Sequence, residues 1–110
     1  MIIVQLTITS KAEEKLIELN NKQFNYLQLW YDIEDCGCGV NGVPTIRLTN
    51  KKETYDKNVA GASFPTIVSE QQAVFFAENM KLDYINHSFR LSSTSEMLNP
   101  FIPERSLLNY

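Results

Sequence analysis

The stretch Asn25-Tyr26-Leu27-Gln28-Leu29-Trp30-Tyr31-Asp32-Ile33 leads, after Glu34, into Asp35-Cys36-Gly37-Cys38-Gly39-Val40-Asn41-Gly42. Residues 25–33 are aromatic and β-prone, and their side chains alternate. Leu27, Leu29, Tyr31 and Ile33 share one face, while Tyr26, Gln28 and Trp30 share the other. The reading is a strand with one apolar side that runs directly into a glycine-rich loop. That loop holds both cysteines of the chain.

Upstream, residues 2–8 alternate and are rich in Ile, Val and Thr, which predicts a first strand. Ser10-Lys11-Ala12-Glu13 fits a capping box with Ser10 as N-cap. Ala12, Leu16 and Leu19 then form one apolar stripe, and Asn20-Asn21 is a plausible stop. A helix is expected over about residues 11–20. Downstream, residues 43–48 read as the next strand, 54–58 as a polar loop and 64–68 as a short strand. Ser69-Glu70-Gln71-Gln72 repeats the capping pattern, so Ala73, Phe76 and Ala77 predict a short helix of about two or three turns. Residues 82–85 and 88–91 look like strands reversed at Asn86-His87. The tail, about 93–110, is expected to wrap over the domain or pack on a partner, because so much apolar surface is poorly tolerated in water.

With no repeat and no linker, this order predicts a single domain over 1–110 of class α+β. It would be a compact mixed or antiparallel sheet with one N-terminal helix and one short helix. At 110 residues the chain can bury a core without a disulfide or structural metal. Hydrophobic residues at 44% and charged residues at 21% are those of a soluble globular protein. The net charge of −3 argues against a nucleic-acid surface, which needs a basic face. Nothing approaches the length of a membrane span, and the N-terminus lacks the basic flank of a signal peptide. Closely spaced cysteines without an export signal point to a cytoplasmic location and to metal or redox chemistry.

Cys36 and Cys38 would point to the same side of an extended segment, with Gly37 and Gly39 leaving the backbone free to bend. Two such sulfurs can grip a metal, capture sulfide, or cycle between dithiol and disulfide. Glu34 and Asp35 disfavour thiolate formation, which weighs against the redox option, as does the strain of so small a disulfide ring. The structural alternative is a glycine-rich turn whose cysteines pack inward. Asp32, Glu34 and Asp35 would offer hard oxygen ligands or else form a solvated edge. His87, the sole histidine, reads as an exposed turn residue rather than a ligand. Trp30, Tyr31, Phe75, Phe76 and Phe89 are assigned to the core.

Taken in order, these pieces resemble the HesB/IscA-like (A-type) iron–sulfur cluster biosynthesis family, and more narrowly its small branch in low-GC Gram-positive bacteria. The resemblance is carried by Leu6-Thr7-Ile8-Thr9-Ser10-Lys11-Ala12, by Leu29-Trp30-Tyr31-Asp32 leading to Cys36-Gly37-Cys38-Gly39, by Phe64-Pro65-Thr66-Ile67-Val68, and by Leu82-Asp83-Tyr84 with Ser88-Phe89-Arg90-Leu91. It implies a protein that is not an enzyme, binds iron or a [2Fe–2S] cluster, and exchanges it with an assembly scaffold or apo-protein clients. Family members use one cysteine after the second main strand and a Cys-Gly-Cys near the C-terminus. Here Cys36 matches the first, with Cys38 beside it, and Ser92 to Pro100 contains no thiol. The usual three-thiol set is therefore absent, and Cys36 and Cys38 are the metal- and cofactor-binding candidates. A homodimer would bring four sulfurs together. The competing reading is an interaction or regulatory module that uses the aromatic faces and Pro100-Phe101-Ile102-Pro103.

Overall fold

The structure, a computed structural model, describes residues 4–21, 23–32 and 43–108. Strand β1 (Gln5–Ile8) is followed by helix α1 (Ser10–Asn20), then β2 (Tyr26–Asp32), β3 (Val43–Thr49), β4 (Asp56–Asn58), β5 (Thr66–Ser69), β6 (Asn79–Ile85), β7 (Ser88–Ser93) and β8 (Met97–Pro103). Two 3-10 turns, Ala73–Phe75 and Glu104–Leu108, complete the described elements. The strands form two four-stranded sheets in the orders β1-β6-β7-β8 and β3-β2-β5-β4. The β1–β6 and β2–β5 pairs are parallel, and the other pairings are antiparallel. The expected α+β class with mixed sheet is the one observed.

Alternation builds the core. Leu27 and Leu29 on β2 pair with Leu48 and Ile46 on β3, and all four are buried. Leu6 and Ile8 face the same core from β1, as do Met80 and Leu82 from β6 and Phe89 and Leu91 from β7. Each such side chain contributes roughly 1.5–3 kcal/mol by leaving water. The tail supplies Ile102 and Leu107, both buried. β8 tolerates Pro100 and Pro103 because it is an edge strand. Pro100 also lies within a register shift against β7, where no regular ladder bond is needed.

Helix α1 begins one residue earlier than its capping box suggests. Thr9, extended at φ −67 and ψ 160, is the N-cap, and its Oγ1 accepts from the Ala12 N–H at 3.2 Å. The same hydroxyl donates to Asp83 Oδ1 at 3.0 Å, which fastens the helix start to β6. Ala12 and Leu16 are buried, and Asn21 ends the helix in the left-handed region at φ 45. Asn86 and His87 turn the β6–β7 hairpin with φ of 53 and 65, the positive pair that a type I′ turn requires.

Two expectations fail here. The short helix expected after Gln72 is a single 3-10 turn, because Phe76 leaves it extended at φ −115 and ψ 150. Its would-be cap, Ser69, belongs to β5, and the Gln72 side chain bonds to Tyr31 rather than back toward Ser69. The loop expected at 54–58 contains β4, whose ladder to β5 depends on backbone groups rather than on its polar side chains.

Two stability predictions follow from these local devices. Thr9→Ala removes a cap and a link to β6, and a denaturant midpoint should show a loss of about 1–2 kcal/mol. His87→Gly relieves a left-handed non-glycine residue and should raise stability by about 1 kcal/mol in the same assay.

Candidate functional site

Asp32, closing β2, pairs with Val43, opening β3, so the two residues that flank positions 33–42 lie side by side. Cys36 and Cys38 lie in that segment, outside the described residues, as do Glu34, Asp35, Gly37 and Gly39. Tyr31, one residue before Asp32, is held by groups from another element. The Tyr31 N–H donates to Gln72 Oε1 at 3.2 Å, and Gln72 Nε2 donates to the Tyr31 carbonyl at 3.5 Å. The Tyr31 and Phe75 rings stack with centroids 3.9 Å apart and planes 7° apart. Across the ladder, Pro44 pairs with Tyr31, and its carbonyl accepts from Asn99 Nδ2 at 2.8 Å.

The outer face of this sheet is polar. Arg47 Nε donates to Gln28 Oε1 at 2.7 Å, and its guanidinium lies 3.6 Å from the Trp30 ring centroid. Residues 50–55 connect the two edge strands β3 and β4, and Lys51, Glu53 and Tyr55 from this connection wall a groove of about 540 Å³. Asp56 Oδ2 accepts from the Glu53 N–H at 2.8 Å, while its Oδ1 is shut off from solvent without a partner. The groove therefore exposes no free carboxylate oxygen of Asp56 to a ligand.

Of the aromatic residues assigned to the core, Phe76 and Phe89 are buried there, while Trp30 and Tyr31 are half-buried. Phe75 is 47% exposed, so it lies at the surface rather than in the core, with one ring face covered by Tyr31. Val43 at one end of segment 33–42 and Val74 beside Phe75 are also exposed. His87 is exposed in its turn. Among the described residues no three His, Cys, Asp or Glu side chains converge as a metal site. Sequence reasoning missed the roles of Gln72 and Phe75. The Ser-x-x-Gln pattern suggested a local cap, and nothing in the sequence signals a bond spanning 41 positions.

A second polar cluster ties the C-terminal 3-10 turn to the body. Tyr84 Oη donates to Glu104, and Lys15 Nζ lies 3.5 Å from Glu104 Oε2 and 3.1 Å from Glu18 Oε1. The Tyr84 hydroxyl, and then Lys15, hold the Glu104 carboxyl below the usual carboxylate value despite partial burial. Burial, and then the Glu104 carboxylate, push the Tyr84 hydroxyl up. Hydrogen bonding to Glu18, reinforced by Glu104, raises the Lys15 ammonium.

The fold finds counterparts among solved structures. A Lactobacillus acidophilus protein assigned by name to Fe-S biosynthesis superposes with TM-score 0.68 at 17% identity, covering 96% of this chain and 94% of that one. IscA, solved with the [2Fe–2S] cluster, has TM-score 0.61 at 14% identity, covering 82% and 86%. SufA of Escherichia coli, described as involved in biosynthesis of iron–sulfur clusters, has TM-score 0.59 at 20% identity, covering 81% and 80%. At these identities the likeness establishes the fold. In sequence, residues 4–103 match the iron–sulphur cluster biosynthesis family, and the chain belongs to that family. A relative in Bacillus subtilis, the uncharacterized protein YqkB, is 39% identical over 75 residues, which span 66% of this chain and 70% of that one. The HesB/IscA-like resemblance seen in the sequence is thereby upheld. No helix among the described residues is long and apolar enough to cross a membrane.

The electrostatic cluster has a testable signature. A carboxyl whose folded value is depressed contributes stability that is present above its unfolded value and lost as pH falls through the folded value. Urea midpoints for the wild type should therefore fall as pH drops below the ordinary Glu value of 4.5. Glu104→Gln should lose less stability across that interval, although it starts from a lower midpoint near neutrality.

Proposed function

We propose that this protein carries iron or a [2Fe–2S] cluster as an assembly accessory, with Cys36 and Cys38 as its thiolate ligands. The observation that carries this reading is membership of the iron–sulphur cluster biosynthesis family over residues 4–103. The chain's only two thiols also fall between Asp32 and Val43, which are paired. The cluster is cargo rather than a resident group, so the site must release it as well as hold it.

The ligand count sets the chemistry. Iron–sulfur clusters are commonly held by four thiolates, and one chain offers two. A second copy would complete the set, or carboxylates such as Asp32, Glu34 and Asp35 would supply hard oxygen donors suited to iron. A shell that mixes thiolate with carboxylate, or is shared between chains, is labile, which suits transfer. The carboxylates beside Cys36 also disfavour a free thiolate, so the sulfurs are quiet until a cation offsets that charge. The exposed apolar side chains at the base, Val43, Val74 and Phe75, would meet a scaffold or an apo-protein client. The cytoplasm, where thiols stay reduced, is the compartment in which this chemistry works.

The test is anaerobic reconstitution with ferrous iron and sulfide, followed by absorption spectra, iron counting and sizing. Wild type should show thiolate-to-iron bands, and either Cys36→Ser or Cys38→Ser should lose most of the bound iron. If two chains share one cluster, the coloured fraction elutes as a dimer. A colourless wild type that leaves the iron free would overturn the reading. The interaction module, working through its exposed apolar residues, would then take first place.

A further inference from the structure

We infer that the groove on the outer face of the β3-β2-β5-β4 sheet is a binding site for a small organic monocarboxylate. Its charged end meets Gln28, Ser69 and Arg47, and its apolar remainder lies against Tyr55. The site stands independently of the carrier reading and uses neither cysteine.

Strand register brings these side chains together. Gln28 pairs with Arg47 across β2 and β3, and with Ile67 across β2 and β5. Ser69 stands two residues beyond Ile67, hence on the same face, and pairs with Asp56 of β4. A sheet face turned to water ordinarily carries exposed polar side chains. Here they are enclosed. Six polar residues are buried among the described residues, and four of them, Gln28, Thr49, Asp56 and Ser69, line this one groove. Each keeps 7% or less of its surface open. A buried polar group is costly unless it is hydrogen-bonded, so each needs a partner. Gln28 Oε1 accepts from Arg47 Nε, which fixes the orientation of the amide and leaves its Nε2 donors to be matched. Among the described residues nothing accepts from Gln28 Nε2, and nothing bonds the Ser69 hydroxyl.

Donors in want of an acceptor select an anionic oxygen. Asp56 does not compete for them, because its Oδ2 accepts from the Glu53 N–H and its Oδ1 is shut off from solvent. Arg47 adds positive charge and is held in place by Gln28 and by the face of Trp30. A guanidinium fixed in this way suits a planar carboxylate. Charge then limits the ligand. The groove lines two cations, Arg47 and Lys51, against two acids, Glu53 and Asp56, and Lys51 Nζ already lies 3.8 Å from Glu53 Oε1. A phosphate dianion needs an excess of positive charge that this set lacks, whereas a single carboxylate needs one guanidinium and two neutral donors. The remaining wall is apolar. Tyr55 is 51% exposed, so a ligand that covers its ring removes apolar surface from water. At about 540 Å³ the groove has the size of a small-molecule site.

The test is a titration of the full, metal-free chain followed by nitrogen–proton NMR. Trp30 is the sole tryptophan, so its indole N–H gives one signal that reports on the groove. Phenylacetate should shift that signal and the Gln28 side-chain amide along one saturating curve. Phenylacetamide, of the same shape without the charge, and inorganic phosphate should each bind at least roughly tenfold more weakly. Ser69→Ala and Gln28→Met each remove a donor and should weaken phenylacetate roughly tenfold, the factor for one hydrogen bond to a charged group. Lys81→Gln, on the other sheet, should bind as wild type. The inference is overturned if phenylacetate gives no saturating shift, if phenylacetamide or phosphate binds as tightly, or if Lys81→Gln weakens binding as much as Ser69→Ala. Ser69→Ala removes one oxygen at the surface of the groove, so the test stands even where Gln28→Met fails to fold.

Discussion

The packing of Leu27 and Leu29 against Ile46 and Leu48 is the constraint on which the rest depends. β2 is an interior strand, bonded to β3 on one side and β5 on the other. Because side chains alternate, committing these leucines to the core commits Gln28 and Trp30 to the outer face. A slip of one residue would turn Trp30 and Gln28 into the apolar core and both leucines out of it, which the core energy forbids. The outer groove and the Arg47–Trp30 stack both follow from that register.

The same strand is fastened differently along its two halves. Its lower half is bonded on both edges. Its upper half is bonded to β3 on one side and held on the other by the side chain of Gln72 and the ring of Phe75. The apolar side chains exposed around it are a liability for an isolated protein and an asset for one that must meet a partner.

At the opposite end of the chain, burial and charge cooperate to secure the tail. Leu107 is buried, and Glu104 from the same turn meets Tyr84 of β6 and Lys15 of α1. Three elements distant in sequence are thus joined through one carboxylate. Thr9 performs a similar task, capping α1 and bonding Asp83 of β6 with a single hydroxyl. Both devices converge on β6, which pairs with β1 and β7 and so anchors the helix and the tail to one sheet.

Much of this was legible in the sequence because it depends on near neighbours. The alternation of residues 26–31 gave the faces of β2, and the stripe of Ala12 and Leu16 gave the buried side of α1. Asn86-His87 gave the hairpin, because Asn and His are among the non-glycine residues that most often adopt positive φ. The thiol pair and its family resemblance were visible for the same reason, as a short motif in a recognisable order. What the sequence could not decide are matters of partnership between distant residues. Gln72 is a helix-capping residue by pattern and a surrogate strand neighbour in the fold, because Tyr31 offers an unpaired N–H and carbonyl where β5 ends. Residues 56–58 are polar enough to be a loop, yet they form a strand because the free edge of β5 accepts their backbone. Local chemistry determined which elements this chain can form, and only tertiary packing decided which donors, acceptors and ring faces were left open for those elements to fill.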